Sequence, residues 1–420
     1  MNGYLDRTIL HVDIDGFHAN VECSRDPSIR DKPVAVSGDW TRRKGVITAR
    51  NMLAKYRGVN AGQCTKEALE ICPELIIKQR NPQLYKEYSN EIFHNTLTKY
   101  SDFVEVCSED EAWLDITTLT RNPYEARKIA KEFQADIKET TGLTCSVGIA
   151  DNKIYSKIGS DLRKPAACTI ITPENYKELV WTLPCDKLLY INTKTKRRLG
   201  YAKIHTIGDV ANAPEGLLEC LFDKWGWYMQ RFANGNVRSP VKHKNYIRPN
   251  KSIGRHETTI RDMVTIEDVR KVLYARAEEL AYLLRQQRSK CRTVQVTIRE
   301  NNLKSCARQG KLEMPSFVTG HIAEKAIEIF QIRYNFTTPL RSIGITACDL
   351  IPENESIQMD LFYDMDEYDR QERLERSIDR LRDIHGFDVV RRAIVYADKD
   401  LTFGSPDNYS LHLTGDYNLI

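Results

Sequence analysis

The sequence has no long apolar run and no paired-cysteine motif. No segment of the 420 residues approaches the roughly 18 consecutive apolar residues of a membrane-spanning helix, and the opening MNGYLDRTILHVDID lacks the basic-then-apolar pattern of a signal peptide. None of the eleven cysteines forms a CxxC pair, so the spacing gives little support to a zinc site. We therefore expect a cytoplasmic protein with no membrane partner and with reduced, mostly buried thiols.

Charge is small overall but unevenly distributed. The net charge is +4, yet residues 242–349 carry roughly +9, and the chain turns acidic after Ile351. A basic domain followed by an acidic tail indicates a surface that faces a polyanion, although a solvated charged face gives the same pattern.

The first strong pattern is the segment TILHVDID, which alternates in the manner of a half-buried strand. Its apolar face carries Leu10, Val12 and Ile14, and its polar face carries His11, Asp13 and Asp15. Two carboxylates on a strand of β-forming residues are costly to bury unless a cation or solvent meets them.

The following segments predict a ferredoxin-like order of strand, helix, strand, strand, helix, strand. NPQLYKEYSNEIFHNTLTKY and NPYEARKIAKEFQADIKETTG have helical spacing, FVEVCSEDEAWLDIT reads as a hairpin with an acidic corner at 108–110, and TCSVGIA reads as the last strand. Residues 19–78 interrupt this unit after its first strand. The same order returns within 251–350, so the fold class is α+β and multidomain.

The ferredoxin-like order brings four carboxylates to one end of the sheet. Asp13 and Asp15 of the first strand can meet Asp110 and Glu111 at the hairpin corner. Phosphoryl transfer to a hydroxyl uses such a cluster to hold two Mg²⁺ ions about 3.5–4 Å apart. The alternative is that these acids are solvent-exposed corner residues.

Five motifs in order resemble the Y-family translesion DNA polymerases of the UmuC and DinB type. HVDIDGFHANVE and SEDEAWLD resemble the metal-binding signatures, VITARNMLAKYRGVNAG the fingers, GLTCSVGIADNKIYSKIGSDLRKP the final palm strand with its helix, and KSIGRHETT the start of the little finger. UmuC-like bacterial members resemble the chain most. The resemblance implies an SOS-type, DNA-directed DNA polymerase acting on damaged templates, with two Mg²⁺ ions that Mn²⁺ can replace.

The resemblance also implies the domain boundaries. The palm would comprise 1–18 and 79–170, as a ferredoxin-like domain with inserted fingers at 19–78. A helical, helix-hairpin-helix-like thumb at 171–235 and a linker at 236–250 would follow. A second split-βαβ domain at 251–350 would form the DNA-binding little finger, and 351–420 would be a C-terminal tail. Within this tail the spacing predicts an amphipathic helix with Leu374, Ile378 and Leu381 on one face, and the end from residue 398 onward reads as loosely ordered.

Carried over by position, the resemblance assigns the catalytic and metal-binding carboxylates to Asp13, Asp110 and Glu111, with the backbone carbonyl of Ile14 as a fourth ligand. Asp15 and Asp115 also match acidic motif positions. We do not expect either to bind metal, and we expect Asp115 to be structural.

The nucleotide site departs from the family pattern in several places. Lys164 matches the triphosphate lysine, whereas Lys55 stands where many relatives carry Arg and Met52 where many carry Tyr. His18 occupies the sugar-gate position, where the family usually places Tyr or Phe. Because imidazole is smaller and can form hydrogen bonds, we predict weaker exclusion of ribonucleotides. Phe17, placed with the nucleotide site, is expected to act through packing; the alternative for His18 is a ring turned into the core.

Expected DNA contacts lie in the thumb and the little finger. The thumb would contact phosphates through hairpins that include Lys194 and Gly208, although the first hairpin lacks the usual glycines and a plain helical turn stays open. In the little finger, the outward face of RTVQVTIRE and the neighbouring first strand supply the remaining candidates: Arg255, Thr293, Gln295, Thr297 and Arg299.

The peptide QMDLF follows the basic domain and matches the Q-x-x-L-F motif that binds the bacterial sliding β clamp. Gln358 offers hydrogen bonds, and Leu361 and Phe362 are apolar anchors. Expected partners are thus primer–template DNA, dNTPs, the clamp and further SOS or repair proteins, in a nucleoid-associated location. Two alternatives remain open: a catalytically weak accessory relative that recruits partners to DNA, and a nucleotidyl cyclase-like enzyme.

Overall fold

The computed structural model describes residues 6–39, 43, 45–120, 122–334, 336–356 and 364–403. These residues form two compact units, the first within 6–37 and 47–247 and the second within 38–46 and 248–403. Among the described residues, no helix is both long enough and apolar enough to cross a membrane.

The first unit alternates strands and helices along the chain. Its described strands are β1 (Ile9–Ile14), β2 (Val34–Ser37), β3 (Ile47–Arg50), β4 (Ile76–Gln79), β5 (Val104–Val106), β6 (Glu111–Asp115), β7 (Cys145–Ala150) and β8 (Cys168–Ile170). Its described α-helices are α1 (Phe17–Arg25), α2 (Met52–Tyr56), α3 (Thr65–Ile71), α4 (Pro82–Asn90), α5 (Pro123–Thr141), α6 (Lys153–Leu162), α7 (Tyr176–Leu179), α8 (Thr193–Tyr201), α9 (Ile207–Ala211), α10 (Leu217–Phe222) and α11 (Lys224–Ala233).

The central sheet of this unit has the strand order β5-β6-β1-β7-β8. The first four strands pair antiparallel, and β8 joins β7 in parallel. Strands β1 and β5 are thereby parallel with β6 between them, and β6 and β7 are parallel with β1 between them. This is the predicted ferredoxin-like double split-βαβ unit.

Each face of this sheet is covered by different helices. Leu10, Val12 and Ile14 of β1 enter a core shared with α5 residues such as Phe133. The opposite face, which carries the acidic side chains of β1, packs against α6, and Ser160 of that helix contacts this face. The expected alternation of β1 is confirmed.

Helix α4 continues into a wider turn that explains its apolar spacing. Leu84, Tyr88 and Ile92 are four residues apart, but Leu97 follows after five. The chain forms a π-helical turn at Glu91–Thr96, in which hydrogen bonds span five residues. Ile92 and Leu97 are therefore both fully buried.

The segment inserted after α1 forms its own three-stranded sheet in the order β3-β2-β4. Strand β2 is antiparallel to β3 and parallel to β4. Helices α2 and α3 pack on this sheet through a small core that includes Ala54 and Ala68.

Helices α7–α11 share one core with α6 rather than forming an isolated layer. The stretch predicted as a linker, 236–250, partly joins this core because Val237 and Val241 are buried. Its backbone also contacts the hairpin of β5 and β6, since the Lys242 N–H donates to a Glu105 carboxylate oxygen at 2.8 Å. The first half of this stretch is therefore packed structure.

The second unit contains the described elements β9 (Ser252–Met263), α12 (Ile266–Gln286), β10 (Ser289–Glu300), β11 (Ser305–Ser316), α13 (Thr319–Arg333), β12 (Leu340–Pro352), α14 (Met365–His385), α15 (Ala393–Tyr396) and α16 (Lys399–Thr402). The sheet order is β11-β10-β12-β9, with antiparallel neighbours. A strand of opposite direction separates each parallel pair, which confirms a second split-βαβ unit. The central strands of this sheet are the second and fourth of the unit, whereas in the central sheet of the first unit the corresponding positions are held by the first and third strands of its split-βαβ order.

The chain after β12 is more ordered than the expected tail. Helix α14 buries a charged face, with Glu375, Asp379 and Arg382 in contact with α12 and its surroundings. The apolar face predicted for this helix is turned outward, since Leu374 and Leu381 are exposed. The prediction of a loosely ordered end from residue 398 onward is wrong for α16, because Leu401 is buried there.

Candidate active site

Two acidic residues lie side by side on neighbouring strands of the central sheet. In the antiparallel pairing of β1 and β6, Asp13 lies directly opposite Glu111. The Ile14 N–H donates to the Asp110 carbonyl oxygen at 2.9 Å, which joins the end of β1 to the hairpin corner. Strand register thus places Asp13, Ile14 and Glu111, three of the four predicted ligand residues. The fourth, Asp110, immediately precedes Glu111.

Asp13 is almost completely buried and is paired with a lysine that follows α6. The Nζ atom of Lys164 lies 2.6 Å from Asp13 Oδ1 and 3.2 Å from Asp161 Oδ1. Burial raises the pKa of the Asp13 carboxyl to about 7, against the opposing effect of the Lys164 ammonium. Burial disfavours the charge on Lys164, but its ion pair with Asp13 outweighs burial and raises its pKa.

A second lysine neutralises Glu111. The Nζ atom of Lys157, on α6, lies 2.6 Å from Glu111 Oε2. Burial disfavours the ammonium of Lys157, but the attraction of Glu111 outweighs burial and raises the pKa of Lys157. Both opposed carboxylates of the sheet therefore have their own protein cation.

The donor set suits a divalent cation, although protein groups occupy it. Carboxylate oxygens are hard ligands of the kind that Mg²⁺ prefers. Asp110 Oδ1 accepts a hydrogen bond from Ser108 Oγ at 2.6 Å, and the lysines hold Asp13 and Glu111. Among the described residues, no three His, Cys, Asp or Glu side chains meet closely enough to hold a metal ion. The chemistry of these residues fits a metal that displaces the lysine ammoniums.

Asp15 is saturated by fixed hydrogen-bond donors. Its carboxylate accepts from Thr144 Oγ1 at 2.8 Å, Ser146 Oγ at 2.8 Å and the Ala166 N–H at 2.9 Å. Asp115 is also used locally, since its Oδ1 accepts from the backbone N–H and hydroxyl of Thr117. These contacts support the expectation that neither carboxylate binds metal.

His18 lies beside the acidic hairpin. Its Nε2 atom is 2.7 Å from Glu109 Oε2, and its ring centroid is 4.4 Å from that of Tyr85. The ring is partly exposed, so it is not turned fully into the core. Phe17 is 2% exposed and packs in the core, as expected of a side chain that supports the site without lining it.

Lys55, the expected phosphate contact of the inserted segment, lies on helix α2. Asn51 caps this helix by accepting from the Ala54 N–H at 2.9 Å. Lys55 is exposed one turn later, and Met52 is partly buried. Lys55 belongs to the α2 surface, whereas Lys164 contacts the carboxylates directly.

Of the two predicted thumb contacts, Lys194 is exposed to solvent, whereas the backbone N–H of Gly208 is used within the fold. Lys194 is exposed in the first turn of α8, whose N-terminus Asn192 caps. The Gly208 N–H donates to the Trp181 carbonyl oxygen at 2.9 Å, and Asp209 accepts from the Thr206 N–H. Because these amides are used internally, the position of Gly208 does not favour a phosphate contact.

In the second unit, only part of the predicted DNA-facing set is accessible. Arg299 is exposed, and Gln295 and Thr297 are partly buried on β10. Thr293 is buried and donates to Asp349 Oδ2 at 2.5 Å. Arg255 is 5% exposed, so neither it nor Thr293 presents the open surface that the alternation pattern predicts. For Thr293 the reason is that Asp349 of β12 supplies a hydrogen-bond acceptor that the local alternation does not reveal.

The clamp peptide, with Gln358, Leu361 and Phe362, lies outside the described residues.

Comparison with known proteins identifies the family. The impB/mucB/samB family profile matches residues 12–161, and the profile of that family's C-terminal domain matches 250–361. A DNA polymerase IV of Acetivibrio thermocellus is 38% identical over 400 residues, which cover 94% of this chain and 99% of that protein. The chain belongs to the Y family of DNA polymerases. A DNA polymerase IV of Clostridium kluyveri is 32% identical over 96% of this chain and 98% of its own.

Solved structures agree with the Y-family assignment. A Y-family DNA polymerase chimera of Dbh and Dpo4 has a TM-score of 0.72 and 25% identity, covering 82% of this chain and 99% of that chain. DinB from Sulfolobus solfataricus has a TM-score of 0.55 with the same identity and coverage. The protein is a DNA-directed DNA polymerase of the translesion type, with the palm, fingers, thumb and little finger of this family. The accessory and cyclase-like alternatives are not favoured, and the closer resemblance to UmuC-like members stays a prediction.

Sequence reasoning missed two side chains at this site. Lys157 and Glu109 were not singled out, although both lie within motifs that were. Lys157 lies on α6, whereas Lys164 lies beyond the end of that helix at Leu162, so helical spacing does not relate the two lysines. Nothing local identifies Glu109 as the partner of His18, because 91 residues separate them.

Proposed function

We propose that Asp13, Asp110, Glu111 and the Ile14 carbonyl form the metal-binding catalytic site of this translesion polymerase. The observation that carries the proposal is the register of β1 and β6, which sets Asp13 opposite Glu111 with Lys164 and Lys157 as their counter-ions. When bound, two Mg²⁺ ions, or Mn²⁺ in their place, would stabilise the attacking and leaving oxygens of an in-line displacement.

The substrates we propose are primer–template DNA and dNTPs, in keeping with the polymerase relatives. The primer 3′-hydroxyl oxygen forms a bond to the α-phosphorus, and the bond from that phosphorus to pyrophosphate breaks. Lys164 would leave Asp13 and neutralise the triphosphate, since its ammonium already lies at the carboxylates. Lys55 would approach the phosphates from α2 as a point charge without the bidentate geometry of Arg.

His18 would contact the sugar of the incoming nucleotide. Its hydrogen-bond contact with Glu109 fixes the ring next to the hairpin that carries Asp110, and the tilted ring of Tyr85 packs beside it. An imidazole in this place leaves more room than a Tyr or Phe ring. We therefore propose a sugar site that excludes the 2′-hydroxyl weakly, with Phe17 supporting the helix from the core.

Duplex DNA would contact cationic surfaces by its phosphates. Exposed Lys194 and Arg299 support such contacts, with Gln295 and Thr297 beside Arg299 on β10. We propose no DNA contact for Arg255, Thr293 or Gly208. The side chains of Arg255 and Thr293 are buried, and the N–H of Gly208 donates to the Trp181 carbonyl oxygen.

The peptide QMDLF at 358–362 would bind a bacterial sliding β clamp through its glutamine and two apolar anchors. Further SOS or repair partners and a cytoplasmic, nucleoid-associated location remain predictions from the family.

Single-nucleotide incorporation tests the site. We expect Asp13→Asn to reduce incorporation by at least ~100-fold, because it removes a charged ligand. Lys164→Gln should raise the KM for dNTP by about tenfold or more, whereas Lys138→Gln, an exposed lysine on α5, should leave both parameters unchanged. Equal activity of the Asp13→Asn variant and the wild type would refute the assignment.

A further inference from the structure

Lys157 takes no part in the reaction proposed above, yet its ammonium is bound to the carboxylate of Glu111. Its Nζ atom lies 2.6 Å from Glu111 Oε2, and the other opposed carboxylate, Asp13, is held at the same distance by Lys164. In the proposed reaction, the ammonium of Lys164 leaves Asp13 and neutralises the triphosphate of the nucleotide. Lys157 lies within α6, and its one ion pair within the described residues is with Glu111.

A buried histidine lies beside Glu111. Its Nδ1 atom is 2.8 Å from Ser160 Oγ, and its Nε2 atom is 3.8 Å from Glu111 Oε2. His11 is fully buried, and within the described structure its Nε2 has no hydrogen-bond partner.

Lys157 neutralises the carboxylate of Glu111 in the structure. A divalent ion at the same carboxylate would repel the ammonium of Lys157, so the two cations compete for Glu111.

We propose that Lys157 is an internal competitor of the divalent cation at Glu111, which holds this carboxylate in place and weakens metal binding. The inference rests on the proposed assignment of Glu111 as a metal ligand. Lys157 acts through Glu111 and is therefore a positioning residue.

Binding of Mn²⁺ to the full chain without DNA or nucleotide, followed by electron paramagnetic resonance, tests the inference. Lys157→Gln should bind Mn²⁺ about tenfold more tightly than the wild type, because the competing charge is gone. Lys157→Arg should bind as weakly as the wild type, and the exposed-lysine variant Lys138→Gln should show no change. An unchanged or weaker affinity in folded Lys157→Gln overturns the inference, as does equal tightening in Lys157→Arg.

A measurement on the wild type covers the case in which a variant fails to fold. Acetic anhydride labelling of Lys157, followed by mass spectrometry, should become several times faster when Mn²⁺ is added, because the released amine is more accessible. No increase overturns the inference. Glu111→Gln separates the two proposals: if it leaves Mn²⁺ affinity unchanged, the metal-site assignment fails, and if it removes binding while Lys157→Gln does not tighten it, only the role of Lys157 fails.

Discussion

The Nζ atom of Lys164 lies 2.6 Å from Asp13 Oδ1, across 151 residues of sequence. Asp15, two residues further along, is held instead by the uncharged donors Thr144 and Ser146. Two acids only two residues apart therefore differ in their partners. The charge of Asp13 is matched by the ammonium of Lys164, and that of Asp15 by hydrogen bonds from uncharged donors.

This difference predicts opposite effects for two similar substitutions. Asp15→Asn should lower the free energy of unfolding by about 2 kcal/mol, because the new amide group opposes a donor in a buried site. Asp13→Asn should change it by less than about 1 kcal/mol while removing activity. Urea unfolding of both variants, with primer extension in parallel, checks the pair; a stable, inactive Asp15→Asn variant would reverse the assignment.

Strand pattern and element order were sufficient to predict that Asp13 lies beside the acidic hairpin of Asp110 and Glu111. The alternation of β1 placed Asp13 and Asp15 on one face, and the double split-βαβ order brought that face to the hairpin of Glu111. The partners of these acids could not be predicted in the same way, because hydrogen bonds such as that between Asp15 and the Ala166 N–H depend on chain segments far apart in sequence.

Substitution of His18 should change sugar selection. We expect His18→Phe to raise the ratio of dNTP to rNTP incorporation efficiency by about tenfold or more, because the larger ring fills the space of a 2′-hydroxyl and gives up the bond to Glu109. The exposed His94→Phe is the matched control. A ratio that stays level or falls would show that His18 does not contact the sugar.

A buried glutamate should anchor the C-terminal helices of the second unit. Glu278 of α12 is fully buried and accepts hydrogen bonds from Arg391 Nε at 2.7 Å and the Arg392 N–H at 2.8 Å. Glu278→Gln should destabilise this unit by about 3 kcal/mol, since it leaves buried guanidinium charge uncompensated. Limited proteolysis should then cleave within 386–403 faster than in the exposed control Glu267→Gln; equal rates would contradict the prediction.

This same network explains why α14 was misjudged from its sequence. Periodicity predicts that an amphipathic helix buries its apolar stripe. In α14 the buried positions include the acidic Glu375 and Asp379, because α12 offers Arg285 as a buried counter-charge. A partner arginine on another helix is not visible in the local pattern. The sequence of α14 alone therefore could not show which face of the helix is buried.

The peptide at 358–362 should bind the clamp by its apolar anchors. Leu361→Ala with Phe362→Ala should weaken binding to a bacterial sliding β clamp by at least ~10-fold, and Met359→Ala should have little effect because the motif leaves that position variable. Surface plasmon resonance on the immobilised clamp measures the difference. Retained affinity in the double variant would mean that this peptide is not the clamp site.

Primer extension on a primer–template with Mg²⁺ and dNTPs, with Asp110→Ala beside the wild type, tests the central claim most directly. The account predicts template-directed extension by the wild type, on abasic as well as undamaged templates, and its loss in Asp110→Ala, which should unfold at the same temperature. Extension by Asp110→Ala at the rate of the wild type, or no extension by the wild type even with the clamp present, would contradict it.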